Sequence, residues 1–244
     1  MRSEMVTLFN LNISNLSKAE VLEKIEGFIK SGRPQLIVTL NVFALVSAQK
    51  DKELKDIINS ADLSLPDGKG LILAAKLLNL PLKERISGVD LVEELSELAA
   101  KKGYSIYLFG AKRGVAEKAA RRLQASYLGL KVSGAEDGYF TPQDEPKIIE
   151  RIKKAKVDIL LVALGIPRQE KWIRHYLQDL KVPVCIGVGG SFDVISGRLK
   201  RAPRWIQDWG FEWLYRLVQE PRRIGRNLSL LRFAFMVLKE KVGV

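Results

Sequence analysis

Residues 62–70 read Asp-Leu-Ser-Leu-Pro-Asp-Gly-Lys-Gly, and this stretch predicts the end of a strand followed by the start of a helix. Its two leucines alternate with polar residues, as in a short strand. Pro66 ends that strand because proline lacks the N–H that pairs in a sheet. From Leu71 to Leu78 the apolar residues recur at helical spacing. Asp67 is therefore expected where a strand passes into a helix, the place at which open α/β sheets carry their chemistry.

The carboxylate of Asp67 has two interpretations at this point. Aspartate at the start of a helix often caps it, by accepting hydrogen bonds from backbone N–H groups of the first turn. A carboxylate beside two glycines at the edge of a sheet can also act on a bound substrate. Spacing alone favours neither interpretation, and both stay open.

Composition indicates a globular protein with an anionic partner. The chain has 244 residues, of which 47% are hydrophobic and 28% charged, enough for a sizeable core. Its net charge of +12 indicates nucleic acid, a phosphorylated substrate or an acidic membrane surface. Cys185 is the single cysteine, which excludes an intramolecular disulfide and cysteine-rich metal sites. His175 is the single histidine and falls in a polar helical stretch, which disfavours a triad mechanism through it.

Neither a targeting segment nor a membrane span is expected. The amino-terminal residues contain no apolar run long enough for a signal peptide. No segment reaches the roughly 20 apolar residues that a spanning helix needs. We therefore expect a cytoplasmic protein, free or peripheral on the inner face of the cell membrane.

Apolar runs alternate with helical patterns along most of the chain. Continuous apolar runs, typical of strands buried on both faces, occur at residues 36–40, 104–109, 157–164 and 184–188. A capping box at residues 17–20 opens a helix that ends at Gly32, and Asp90 is expected to cap a later helix. The alternation predicts an α/β fold, a mainly parallel Rossmann-like sheet sandwiched by helices. We place this core at residues 1–195 and a helical appendage at residues 196–244.

Several predicted strands end in polar or glycine-rich turns. These turns lie at residues 39–41, 66–68, 109–111, 165–167 and 189–191. In a parallel sheet they share one edge, where glycine backbone and helix N-termini suit phosphate, although α/β proteins also need glycine for purely structural turns. The dinucleotide and Walker glycine motifs are both missing, which disfavours an oxidoreductase or an ATPase. No Asp-x-Asp pair occurs, so arginines or helix termini would have to meet the charge of a departing nucleoside diphosphate.

The appendage differs in composition from the core. It carries 11 Lys and Arg against 4 Asp and Glu, a net charge of +7. Two apolar patterns occur there at helical spacing: Trp205, Trp209 and Trp213 on one stripe, and Ile224, Leu228, Leu231, Phe235 and Leu238 on another. Tryptophan and arginine beside an apolar face indicate a helix lying in an anionic membrane interface. Packing on the core or in an oligomer, and binding of nucleic acid, are the alternatives.

Five of these segments together resemble the WecG/TagA/CpsF glycosyltransferase family. They are residues 39–41 (TLN), 66–68 (PDG), 85–90 (RISGVD), 165–172 (GIPRQEKW) and 187–193 (GVGGSFD). The resemblance implies an inverting transfer, without metal or cofactor, in the synthesis of the wall teichoic acid linkage unit. N-acetylmannosamine would pass from UDP-N-acetylmannosamine (UDP-ManNAc) to N-acetylglucosamine on undecaprenyl diphosphate, with a β-1,4 bond formed and UDP released. A lipid-linked acceptor would also explain an appendage that binds membranes.

The resemblance also implies roles for individual residues. Asp67 would be the base that takes the proton of the acceptor hydroxyl. Thr39, Gln169 and Arg85 would also be catalytic. Thr39, Asn41 and Gln169 would orient donor and acceptor, Arg85 and Gly110 would face the donor, and Gly68 would bind substrate. Tyr139 and Asp193 would contact the uracil. Arg216, Arg223 and Arg226 of the appendage would reach back toward the diphosphate, because an arginine fork suits phosphate geometry.

Two other functions remain open from the sequence. Transfer of N-acetylmannosaminuronic acid would require an additional cation in the sugar pocket, because that donor carries a carboxylate. A basic α/β protein could instead bind nucleic acid, with steep salt dependence and no affinity for UDP; we expect no nucleic-acid partner. Away from the membrane, the apolar stripe of the appendage could become a contact in a homo-oligomer.

Overall fold

The computed structural model describes residues 4–221 and 224–242, apart from the side chains of residues 208, 224, 226 and 227. In that part of the chain, six strands form a parallel sheet and two form an antiparallel hairpin. The hairpin comprises β1 (Met5–Leu8) and β2 (Leu11–Ser14). The sheet comprises β3 (Gln35–Leu40), β4 (Leu63–Pro66), β5 (Ser105–Gly110), β6 (Lys131–Glu136), β7 (Ile159–Ala163) and β8 (Val184–Gly187).

Helices connect the strands and form the end of the chain. Those of the first half are α1 (Lys18–Ser31), α2 (Val42–Ala48), α3 (Lys52–Asn59), α4 (Lys69–Leu77), α5 (Gly88–Lys102) and α6 (Val115–Ser126). Those of the second half are α7 (Glu145–Ala155), α8 (Arg168–Leu180), α9 (Ser191–Ile195), α10 (Arg204–Trp209), α11 (Glu212–Gln219) and α12 (Ile224–Val242). A short 3₁₀ turn, Pro142–Asp144, precedes α7.

The strand order of the sheet is β4-β3-β8-β7-β5-β6. Helices α2, α3, α4, α7, α8 and α12 pack on one face of the sheet, and α1, α5, α6 and α9 pack on the other. Alternate residues of β3 point to opposite faces of the sheet. Leu36 and Val38 pack with the helices of the first face, and Ile37 packs with those of the second. The predicted parallel, Rossmann-like sheet sandwiched by helices is confirmed.

The register of the sheet gathers the turns at one edge. Leu40, the last residue of β3, pairs with Pro66, the last residue of β4. Asn41 and Asp67 therefore leave the sheet side by side. Because all six strands run in the same direction, the turns after β5, β7 and β8 open at the same edge.

Local signals at the helix ends were only partly informative. The capping box of α1 is present, with Ser17 and Glu20 bonded to each other's backbone, and Gly32 ends the helix in a left-handed conformation. The expectation that Asp90 caps α5 is wrong. That helix begins at Gly88, two residues earlier, and Asp90 lies in its first turn. Asp90 instead pairs with Arg201.

The three appendage tryptophans do not share one helix. Gly210 ends α10 with a φ of +81°, so Trp205 and Trp209 lie on α10 while Trp213 lies on α11. The predicted single stripe is therefore wrong. A left-handed residue breaks the helix at a position that the four-residue spacing could not reveal. All three side chains are exposed nonetheless.

The last helix, α12, has one buried face and one exposed apolar face. Phe233 and Val237 are buried in the core beside α2, and the ring of Phe233 meets that of Phe9 at 6.0 Å between centroids. The opposite side chains, which we call the outer face of α12, are exposed: Leu228, Leu231, Phe235 and Leu238. The helix thus packs on the core, as one alternative held, and also presents the stripe seen in the sequence. The domain boundary at residue 195 stays a prediction.

Within the described ranges, the helices are all too short or too polar to cross a bilayer.

Candidate active site

A cleft of about 1860 Å³ opens at the carboxyl edge of the sheet. Its walls come from the turns after the six parallel strands, from residues 83–89 and from the start of α11. Nine of the residues singled out in the sequence line this cleft: Thr39, Asn41, Asp67, Gly68, Arg85, Tyr139, Gln169, Asp193 and Arg216. The volume is ample for a sugar nucleotide, since sites for small ligands commonly measure several hundred Å³.

Asp67 does not cap the helix that follows it. The N-cap of α4 is Gly68, and no side chain caps that helix. The Asp67 carboxylate instead accepts a hydrogen bond from the backbone N–H of Gly88, the first residue of α5. Its loop is held by the backbone, because the Asp67 N–H donates to the Leu40 carbonyl at 2.7 Å. The capping interpretation is therefore excluded for α4, and Asp67 lines the cleft.

The surroundings of Asp67 make it an unusually basic carboxylate. Burial raises its pKa to about 6, and the Glu212 carboxylate also acts to raise it. The guanidinium groups of Arg216 and Arg85 and the Gly88 N–H act to lower it. A carboxylate with this pKa can accept a proton near neutral pH far better than an ordinary aspartate.

Arg85, Glu212 and Arg216 form a charged bridge between core and appendage. Arg85 Nη1 lies 3.5 Å from Glu212 Oε2, and Arg216 Nε lies 3.9 Å from Glu212 Oε1. Arg85 Nη2 is also 3.9 Å from Asp90 Oδ2. Two guanidinium groups thus face the cleft with a carboxylate between them. Glu212 is a functional candidate that sequence reasoning missed, because one glutamate on an amphipathic helix carries no signal of its own.

Thr39 and Gln169 lie in the wall and hold backbone in place. The Thr39 hydroxyl is buried and donates to the Gly187 carbonyl at 2.7 Å. Gln169 is fully buried. Its Oε1 accepts from the N–H groups of Gly165 and Gly189 at 3.2 and 3.0 Å, and its Nε2 donates to Glu170. These side chains shape the turns, and any direct contact of theirs with substrate stays a prediction.

Asn41 and Asp193 also have partners within the protein. Asn41 Oδ1 accepts from the Ala44 N–H at 3.0 Å and so caps α2. Asp193 Oδ1 pairs with Arg198 Nη1 at 2.6 Å. A bond from Asp193 to uracil would have to compete with this ion pair. The assignments of both residues to substrate remain predictions.

The far end of the cleft is aromatic and cationic. Tyr139 is 59% exposed there, which leaves its ring open to a ligand. The Arg168 guanidinium stacks 4.3 Å above the Phe140 ring. Lys112 and Arg113 line the same end. These three cations are functional candidates that no motif in the sequence indicated individually.

Gly110 lies behind the wall. It is the last residue of β5, with a φ of +118°, and a Cβ there would sit 2.6 Å from the Ala163 backbone. Glycine is required at this position by the close approach of two strands. The next residue, Ala111, lines the cleft instead. A substrate-binding role for Gly110 is thus untested, and its packing role is clear.

Two predicted arginines cannot be placed. Arg223 and the side chain of Arg226 lie outside the described residues.

His175 is exposed on the polar face of α8, as expected. Among residues 4–221 and the described part of 224–242, no three His, Cys, Asp or Glu side chains come together as a group that could hold a metal ion.

Known proteins resemble this chain over most of its length. The chain matches the model of the Glycosyl transferase WecG/TagA/CpsF family over residues 6–244. It is 37% identical over 236 residues to a Bacillus subtilis protein named N-acetylglucosaminyldiphosphoundecaprenol N-acetyl-beta-D-mannosaminyltransferase, covering 96% of this chain and 91% of the relative. A protein of the same name from Bacillus spizizenii is 34% identical over 214 residues, covering 88% and 82%. The chain therefore belongs to the WecG/TagA/CpsF family of glycosyl transferases.

Proposed function

We propose that this chain transfers N-acetylmannosamine from UDP-ManNAc to N-acetylglucosamine on undecaprenyl diphosphate, in the synthesis of the wall teichoic acid linkage unit. The names of its two Bacillus relatives support this acceptor and this sugar. The observation that carries the proposal is the placement of Asp67, a carboxylate of raised pKa, in one cleft with Arg85 and Arg216.

The reaction in this proposal is a single displacement with inversion, as the resemblance to the family implies. Asp67 takes the proton of the acceptor hydroxyl, whose oxygen attacks the anomeric carbon of the donor. The new β-1,4 bond forms as the bond to UDP breaks, and the electron pair of that bond leaves with the diphosphate. Arg85 and Arg216 meet the charge of the leaving group, a role for which a guanidinium is well suited. The reaction needs no metal in this scheme.

Exposed apolar side chains support a peripheral position on the inner face of the membrane. Trp205, Trp209 and Trp213 are exposed, as is the outer face of α12. Helix α4, which packs against α12, adds exposed Leu73 and Leu77. An apolar surface of this extent on a protein of net charge +12 suits an anionic lipid interface. A lipid-linked acceptor would reach the cleft from that surface.

The uronic acid donor is a second candidate. It would require a cation in the sugar pocket, and Lys112, Arg113 and Arg168 lie at one end of the cleft. The same cations could serve the diphosphate of either donor, so parallel assays with UDP-ManNAc and its uronic acid form decide between them. The names of the relatives favour N-acetylmannosamine.

The central test is transfer of radiolabelled N-acetylmannosamine from UDP-ManNAc to a lipid-diphosphate analogue of the acceptor. We expect turnover by the wild type, none above background by Asp67→Asn, and full turnover by Asp179→Asn, a control on the exposed surface of α8. UDP should bind the wild type and Asp67→Asn alike in calorimetry. Binding of nucleic acid without binding of UDP would overturn the proposal, as would turnover by Asp67→Asn.

A further inference from the structure

A buried carboxylate lies directly behind the wall of the cleft. Glu170, near the start of α8, is 1% exposed. Its Oε1 accepts a hydrogen bond from Gln169 Nε2 at 2.7 Å, and its Oε2 has no hydrogen-bond partner among the described residues. Burial raises its pKa to about 7. A half-satisfied buried carboxyl is costly to a fold, so its presence calls for a role.

The contact between Glu170 and Gln169 contributes to the orientation of the Gln169 amide. Gln169 Oε1 receives two backbone N–H groups, from Gly165 and Gly189. If the amide were reversed, its NH₂ would face these two donors and its oxygen would face the Glu170 oxygen. The acceptor at Glu170 therefore acts together with the two backbone donors to favour the one orientation in which every partner is matched.

The amide of Gln169 in turn joins two turns of the cleft. Gly165 follows β7 and Gly189 follows β8, and both line the cleft. Gly187 lies against the same amide, since a Cβ there would come within 2.7 Å of Gln169 Nε2. The Thr39 hydroxyl donates to the Gly187 carbonyl. A single buried network thus ties the carboxyl ends of β3, β7 and β8 together.

We infer that Glu170 is a positioning residue for glycosyl transfer, which acts through the Gln169 amide to hold the turns at Gly165 and Gly189 in the shape that receives the donor. The inference rests on the proposed function for the reaction it serves. Glu170 itself does not line the cleft, so it touches no substrate. The burial of Glu170 is indicated in the sequence by helical spacing, because Glu170 shares a face of α8 with the buried Ile173, Leu177 and Leu180.

Two substitutions separate positioning from general stability. Glu170→Gln keeps an oxygen that can accept from Gln169, whereas Glu170→Met keeps an unbranched side chain of similar length and removes the acceptor. For Glu170→Met we expect kcat/KM to fall roughly ten- to hundredfold, as small misplacements in an active site do, with a thermal midpoint no lower than that of the wild type. Glu170→Gln should retain activity within about threefold.

A readout without substrate distinguishes failure of this inference from failure of the proposed function. Backbone amide exchange at Gly165 and Gly189 should be faster by about tenfold or more in Glu170→Met and unchanged in Glu170→Gln. This comparison holds whichever sugar the enzyme transfers. Unchanged exchange at both glycines in Glu170→Met, or equal loss of activity in both variants, would overturn the positioning role.

Discussion

Arg85 and Glu212 lie 127 positions apart in the chain, yet Arg85 Nη1 is 3.5 Å from Glu212 Oε2. This ion pair joins the core to α11 of the appendage at the mouth of the cleft. The same Glu212 carboxylate lies 3.9 Å from Arg216 and acts on the pKa of Asp67. The electrostatics of the proposed base thus depend on the appendage as well as on the sheet.

Replacing Glu212 by Gln should move the acidic limb of the pH–activity profile to lower pH. Glu212 acts to raise the pKa of Asp67, and the amide removes that negative charge. The pH dependence of kcat/KM measures the effect. Glu240→Gln, an exposed change near the end of α12, is the matched control. A profile identical to that of the wild type would show that Glu212 does not affect the pKa of Asp67.

Asp67→Asn should be inactive and more stable than the wild type at pH 8. The pKa of Asp67 is raised to about 6 by folding, so the folded state binds the proton more tightly than the unfolded chain does. The stability of the wild type therefore falls as the pH rises from about 4 to about 6, and the penalty is complete above that range. Asparagine carries no charge and avoids a penalty of up to about 3 kcal/mol. Urea unfolding at pH 4 and pH 8 tests this, because most of the gain should be lost at pH 4, close to the pKa of an unfolded aspartate.

Activity of the wild type should fall as the pH drops through about 6. Proton transfer from the acceptor requires ionised Asp67, whose pKa lies near that value. The measurement is kcat/KM between pH 5 and pH 8 at constant ionic strength. A limb near pH 4 instead would indicate an ordinary carboxylate, and the surroundings described above would then have no effect on catalysis.

Arg216→Ala should lower kcat/KM by roughly a hundredfold, because one charge-assisted contact to the leaving diphosphate is lost. It should also move the acidic limb to higher pH, since Arg216 acts to lower the pKa of Asp67. This shift is opposite to that expected for Glu212→Gln. Arg174→Ala, exposed on α8, is the control. Unaltered kinetics in Arg216→Ala would exclude α11 from the active site.

Replacing three residues of the outer face of α12, Leu231, Phe235 and Leu238, by Glu should release the protein from anionic vesicles. Each change places a charge where an exposed apolar side chain would enter the interface. Co-sedimentation with vesicles containing phosphatidylglycerol measures the loss. Leu128→Glu is the control, because Leu128 is 97% exposed and lies outside the appendage. Full binding by the triple variant would refute this surface as the membrane contact.

Much of the architecture was readable from local pattern. Apolar runs between helical stretches specify a parallel sheet, and parallel strands must bring the turns at residues 39–41, 66–68, 165–167 and 189–191 to one edge. That rule placed Asp67 in the cleft without any long-range information. The apolar stripe of α12 was likewise visible, because helical spacing records which side chains share a face.

The tertiary structure alone decided how these groups are used. Asp67 receives its hydrogen bond from Gly88 of another helix, and Gln169 turns inward to Gly165 and Gly189. Glu212 and Arg216 meet the core through contacts that span more than a hundred positions. Periodicity reports only which face of an element is buried. The partner of a polar side chain, and hence its pKa, follows from how the elements pack in space.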